Sequence, residues 1–399
     1  MKYFLIFVQF GLNYAFFSQE IKKIDDLKIN DIENYSDYSV FDSLILNKRL
    51  IFLGESGHSG QEYNLAKYKI IRYLHEKHNF NVVIFESGMA DCFHGNNLKN
   101  QNDSLWLLKH SIYSIWSSKP TLMLMDYMIQ NNMKIGGFDY QNSSMGSTNS
   151  EFLKMIKTLD SSLINETYQN DVIFSNYIAT TVFDVNLSPS KLDSIKTLSR
   201  LLIGNYTKLH NLITNQNDIT LAYYSKIISN KLFLLNNFEN RKKLYALRDS
   251  VMSNNIKWFY DSLYPNEKII VWGANDHIAK ERSNFSTNYY AGSIFPERIK
   301  NDSYYIGFYA YSGEMYNYSE GNFKIVTPHK KSLEGRLHTY FDNNNDVFID
   351  LSTILNSKTL KWVNKETMAY VWGRVPVFIV PKKYYDGIIL INNLSIKHF

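Results

Sequence analysis

Three features of the chain predict an α/β fold with a mostly parallel central sheet flanked by helices. Short apolar runs rich in Val, Ile and Phe alternate with longer segments of helical period, the pattern of βαβ units. Acidic and imidazole side chains follow four of those runs, where the carboxyl ends of parallel strands would place them on one edge. A long stretch, about residues 149–240, carries Leu, Ile and Tyr at helical spacing with few glycines, which predicts a helical insertion covering the cleft.

The elements follow in order. Arg49 to Gly54 reads as the first strand and Gln61 to Lys77 as the helix after it. Asn81 to Phe85 is the second strand, Thr121 to Asn132 a helix, and Lys134 to Phe138 the third strand. A helix over Leu244 to Tyr260 leads into the fourth strand, Lys268 to Trp272. Tyr304 to Tyr311, Val347 to Leu351, Val377 to Val380 and Gly387 to Ile391 supply later strands, and the stretches near Asn142 to Asn149 and Asn343 to Asp346 read as polar loops.

Composition narrows the function. Among 399 residues, 45% are hydrophobic and 20% charged, which excludes disorder as the global state. A net charge of +5 with both signs interleaved makes no nucleic-acid-binding stripe. The single cysteine, Cys92, excludes an internal disulfide and any cysteine-built metal site. Lys2, the apolar run Tyr3 to Phe17 and Ser18 resemble a secretory leader over residues 1–18. The expectation is an exported protein, periplasmic or secreted, whose residues 19–399 form one domain with no stable membrane anchor after cleavage.

The chemistry collects at the strand ends. Glu55 and His58 lie just past the first strand in Gly54-Glu55-Ser56-Gly57-His58, and Glu86 closes the second. Asp139, Tyr140 and Gln141 close the third, and Asn275, Asp276 and His277 follow the fourth. A histidine titrates nearest neutrality, so His58 can take a proton from water as that water attacks a carbonyl. A carboxylate beside it holds the productive tautomer, and Glu55 and Glu86 are both candidates. His277 would donate to the developing oxyanion or the leaving alkoxide.

Other chemistries remain open beside this one. Ser56 lacks the closing glycine of a Gly-x-Ser-x-Gly elbow. Glu55, His58, Glu86 and His277 are acceptable ligands for a metal-dependent hydrolase. Walker and dinucleotide motifs are absent, so no nucleotide cofactor is expected. Trp116 could line the site as well as pack a core.

At these residues the chain resembles the erythromycin esterase family. The match runs from Gly54–His58 with Glu62 and Lys67, through Phe85-Glu86, Gly137-Phe138-Asp139-x-Gln141 and Arg248-Asp249-x-x-Met252-x-x-Asn255. It continues with Val271-Trp272, Asn275-x-His277, Ser332-Leu333-Glu334 and Asp386-Gly387-Ile388. The resemblance implies hydrolysis of an ester, in the best-known members a macrolide lactone and so a response to antibiotic, with no required metal and no cofactor. It gives His58 the proton-abstracting role, Glu55 and Glu86 the flanking carboxylates, and His277 the later histidine. Lys67 stands where arginine is frequent, and Ala274 where a further histidine is usual. The catalytic set is therefore His58, Glu55, Glu86 and His277, with Lys67, Asp139, Gln141, Asn275 and Trp116 expected against a small-molecule ester or lactone. The rival from another class is a binding protein that retains the cleft without turnover.

Overall fold

The structure, a computed structural model, describes residues 21–24, 36–98, 103–141, 156–181, 189–214, 218–282, 290–317, 320–340, 346–354 and 359–396. The expected leader over residues 1–18 and the polar loop at 142–149 lie outside the described residues.

The strands are β1 (Ile21–Ile24), β2 (Leu50–Leu53), β3 (Phe80–Gly88), β4 (Lys134–Asp139), β5 (Lys268–Trp272), β6 (Ser303–Asn317), β7 (Gly321–Lys324), β8 (Asp346–Asp350), β9 (Thr367–Val371), β10 (Val375–Ile379) and β11 (Gly387–Leu394). Contacts divide the chain into two compact units.

The first unit holds residues 1–83, 115–133 and 267–399. Its sheet runs β1-β8-β11-β6-β2-β5 and on to β3, whose opening residues Phe80 to Val83 belong here. β11, β6, β2 and β5 pair in parallel, while β8 and β1 extend the edge antiparallel. Every side chain of β2 is buried, as is every one after the first in β5. A parallel strand is covered on both faces, so it reads as an unbroken apolar run.

After β2 the chain turns through Gly54–Gly60 into the helix Gln61–His78. That helix stops at Asn79, whose left-handed φ of 59° suits an asparagine C-cap and whose N–H returns to the His75 carbonyl at 3.2 Å. The Val377–Val380 strand is observed as β10, in a different place from the main sheet. It pairs antiparallel with β9, which the sequence did not signal, in a hairpin of its own.

The second unit holds residues 84–114 and 134–266. It takes the rest of β3 and β4, then the helices Ile164–Thr181, Pro189–Ile213, Ile219–Asn237 and Arg241–Trp258. The described part of residues 149–240 is helical and turn structure, with no strand. Ile195, Ser199, Leu202, Tyr206, Leu209 and Ile213 are the inward stripe of one of its helices, at the three- and four-residue spacing that buries one face.

Candidate active site

The loop after β2 is built by close approach and by cross-bracing. A Cβ on Gly54 would sit 2.0 Å from Asn275 Oδ1, so only glycine lets the chain turn there. The Asn275 amide is itself taken up at both ends by the backbone of Phe308, donating to its carbonyl at 2.9 Å and accepting from its N–H at 3.3 Å. Its own N–H donates to the Glu55 carbonyl at 2.8 Å. Asn275 thus ties β6 to this loop, a different duty from the substrate contact expected of it. Ser59 holds a left-handed φ of 69° and donates through Oγ to the Ile115 carbonyl at 3.0 Å. Strain of this kind persists where surrounding contacts over-determine it, and it gathers at functional sites.

Glu55 is 1% exposed and fully partnered. Its Oε1 meets His58 Nδ1 at 2.6 Å and accepts from Trp116 Nε1 at 2.5 Å, while Oε2 accepts from Lys67 Nζ at 2.7 Å. Burial by itself raises the Glu55 carboxyl. The Lys67 charge and the hydrogen bonds from His58 and Lys67 outweigh it, so the group sits below its ordinary range and stays ionised. Lys67 is 0% exposed and lies 4.4 Å from the centroid of the Trp272 ring. A lysine reaches only one carboxylate oxygen, and the indole of Trp116 supplies the donor to the other.

Lys67 and Trp116 are therefore spent on Glu55. That corrects the expectation of direct substrate contact for both, because neither polar group faces solvent. Of the two glutamates left as candidates for orienting His58, Glu55 makes the contact. His58 keeps 18% of its side chain accessible within a loop that is otherwise buried.

Ser56 Oγ lies 2.9 Å from the hydroxyl of Tyr63, itself buried and with its phenol pushed well above the usual range chiefly by burial. The serine is tied to a phenol that does not ionise, which is poor activation for a nucleophile. His277 lies half-buried on the short turn Asn275–Ile278, with Ala274 at its N-terminal boundary. Among the described residues no group of three or more His, Cys, Asp or Glu side chains is arranged to hold a metal ion.

The second unit carries its own polar cluster. Arg248 donates to Asp139 Oδ2 through Nε at 3.1 Å and Nη2 at 2.5 Å, and Nη2 also reaches Glu86 Oε1 at 3.0 Å. Burial opposes the guanidinium charge, and the two carboxylates overcome it, pushing Arg248 further up. Tyr113 donates to Asp139 Oδ2 at 3.1 Å and to the Gln141 carbonyl at 2.8 Å. Glu86 and Asp139 thus share one arginine, the Gln141 N–H donates to Asp139 Oδ1 at 3.2 Å, and Asp139 is 0% exposed.

Sequence reasoning assigned no role to Tyr113 or Trp372, and quoted Arg248 and Glu334 only within the resemblance. The signal for Trp372 was weak: Met368 to Val371 and Val375 to Ile379 run apolar without alternation on either side, and only Gly373 marks a turn between them.

The fold and the Glu55–His58–Lys67 constellation define an α/β protein whose buried carboxylate orients a partly open histidine. A family model described as erythromycin esterase matches residues 75–394, so the chain belongs to the erythromycin esterase family, and membership supports a hydrolase. The Bacillus subtilis (strain 168) protein YbfO, described as a putative hydrolase, is 29% identical over 383 residues, covering 88% of this chain and 85% of its own. Erythromycin esterase type I of Escherichia coli is 34% identical over 55 residues, 14% of each chain. Among solved structures, a succinoglycan biosynthesis protein aligns at TM-score 0.77 with 16% identity, over 95% of this chain and 96% of that one. A mutant of the erythromycin esterase EreC in its open conformation aligns at 0.67 with 15% identity, over 94% and 98%. At those identities the likeness is one of fold.

Proposed function

We propose that this protein hydrolyses a carboxylic ester or lactone with water activated by His58. One observation carries the reading: His58 Nδ1 is engaged by a buried carboxylate, while its ring remains partly open. With Nδ1–H donating to Glu55, the lone pair falls on Nε2, the atom that takes a proton from water. The hydroxide oxygen bonds to the carbonyl carbon and the carbonyl electrons move to oxygen. Collapse breaks the bond to the alkoxide, which receives the proton back from His58. Glu55 stabilises the imidazolium in between, and Lys67 keeps Glu55 charged throughout. His277 is assigned the hydrogen-bond donor to the oxyanion, keeping its own proton throughout.

Family membership and the description of YbfO as a hydrolase support the reaction class. A macrolide lactone is the substrate class that the name of the Escherichia coli relative suggests. The leader expected at residues 1–18 would place the reaction outside the cytoplasm. The test is a panel of lactones and simple esters, macrolides included, run on wild type beside His58→Ala. Product with wild type and none with the folded variant is expected. Equal turnover in the two, or ligand-induced thermal stabilisation of wild type with no product from any ester, would reject the proposal.

A further inference from the structure

We propose that Trp372 is a positioning residue for His58, holding the imidazole plane while Glu55 holds its tautomer. The inference rests on the hydrolytic reading above for its catalytic consequence, but not for its geometry.

The β9–β10 hairpin turns through Val371-Trp372-Gly373-Arg374, closed by the Arg374 N–H to the Val371 carbonyl at 3.3 Å. Both central residues have positive φ, 55° at Trp372 and 61° at Gly373, the pattern of a type I′ turn. The first central position of such a turn favours Asn, Asp or Gly, because a side chain there crowds its own backbone. A tryptophan is the bulkiest residue that could occupy it, and for such a residue this conformation is an outlier. Turn formation alone does not explain the choice, whereas the ring's neighbours do.

The Trp372 ring stands edge to face with His58, centroids 4.9 Å apart and planes at 88°. Trp116 also stands edge to face with His58, at 5.6 Å and 89°. Two indoles perpendicular to the imidazole oppose rotation of its plane. Trp116 is buried and already bonded to Glu55, while Trp372 is the half-buried member. The hairpin is fastened to make this possible. The Trp372 N–H donates to the Ser56 carbonyl at 2.6 Å, inside the His58 loop, and the Val326 N–H donates to the Gly373 carbonyl at 3.0 Å. One residue before the turn, the Tyr370 N–H donates to buried Glu334 at 2.7 Å. Gly57 completes the fit, since a Cβ there would lie 3.2 Å from the Trp372 ring and 2.7 Å from Met315 Sδ.

The experiment compares Trp372→Gly and Trp372→Phe with wild type in the full chain. Glycine removes the ring and suits the positive φ, so the fold should hold. Should its melt be broad, Trp372→Asn replaces it, since asparagine also tolerates this conformation. Two readouts are taken: the 15N signals of the His58 ring across pH, and kcat and KM on the best ester of the panel. Trp372→Gly should broaden or shift the His58 ring signals and lower kcat roughly ten- to hundred-fold with KM nearly unchanged, the scale of a misplaced catalytic group. Trp372→Phe should restore most of both. Unchanged ring signals and kcat in the glycine variant would overturn the proposal, as would a loss falling wholly on KM. If wild type turns over no ester, the hydrolytic reading fails, and the ring signals still decide the positioning role.

Discussion

Replacing Lys67 with methionine removes the ammonium bonded to Glu55 and leaves a similar volume. The carboxylate would remain 1% exposed, with only the neutral donor of Trp116 and the ring of His58 at its oxygens. Breaking a buried ion pair from one side typically costs about 3–5 kcal/mol. The variant can escape part of this by protonating Glu55, and that escape sets the pH dependence. In wild type the carboxyl lies below its ordinary value of 4.5, so its stabilisation is complete above that value and is lost only as pH falls through the folded pKa. In Lys67→Met the folded carboxyl is raised by burial, so stability is lost as pH rises from 4.5 toward the new value. The gap between the two proteins should therefore widen by as much as about 1.4 kcal/mol per pH unit, or about 4 kcal/mol from pH 5 to pH 8. Urea unfolding followed by far-ultraviolet circular dichroism at pH 5, 6, 7 and 8 measures it. The double variant Lys67→Met with Glu55→Gln should recover more than half of the loss at pH 8. A gap that is constant across the series, or below about 1 kcal/mol at pH 8, would refute the claim that Lys67 keeps Glu55 ionised.

Three further outcomes follow from the same contacts. Trp116→Phe deletes the indole donor to Glu55 and should cost about 1–3 kcal/mol in the same melts, with a loss of turnover at saturating ester. Gly54→Ala drives a methyl into Asn275 Oδ1, an atom held by the Phe308 backbone, and should lower stability by about 1–3 kcal/mol. Glu334 is raised by burial to about 7, so it contributes stability below its ordinary 4.5 that is lost as pH rises through 7. Glu334→Gln removes that titration, and its stability relative to wild type should rise by about 3 kcal/mol between pH 4.5 and pH 8. Calorimetric melts across that range check this, and a flat difference would mean that the carboxyl is not held protonated.

Much of the fold was legible before any coordinates. Lys268–Trp272 was readable to the residue, and β2 and β4 nearly so, because a strand covered on both faces is apolar with little interruption, whereas β3 runs on past its apolar stretch through Glu86 to Gly88. The helix after β2 showed its period, and the turn residues around Gly54 and Gly57 marked the loop that carries His58. The β9–β10 hairpin was half missed. Thr367–Val371 has a partner only in its neighbour, and its half-buried positions carry Met368 and Tyr370, so the sequence shows no apolar–polar alternation from which to read a strand.

The residues alone determined the α/β class and the placing of His58 and Glu55 on one short loop, since these follow from local periodicity and spacing, while the ordered motifs carried the resemblance to the family. Only the tertiary structure decided that Glu55 rather than Glu86 grips the imidazole, that Arg248 takes Glu86 together with Asp139, and that Lys67 and Trp116 face inward to the carboxylate. Those partnerships join side chains from 3 to 162 positions apart, and their strength depends on burial and on a few tenths of an ångström. Neither quantity is a property of a linear string; both arise when separate strands and turns pack.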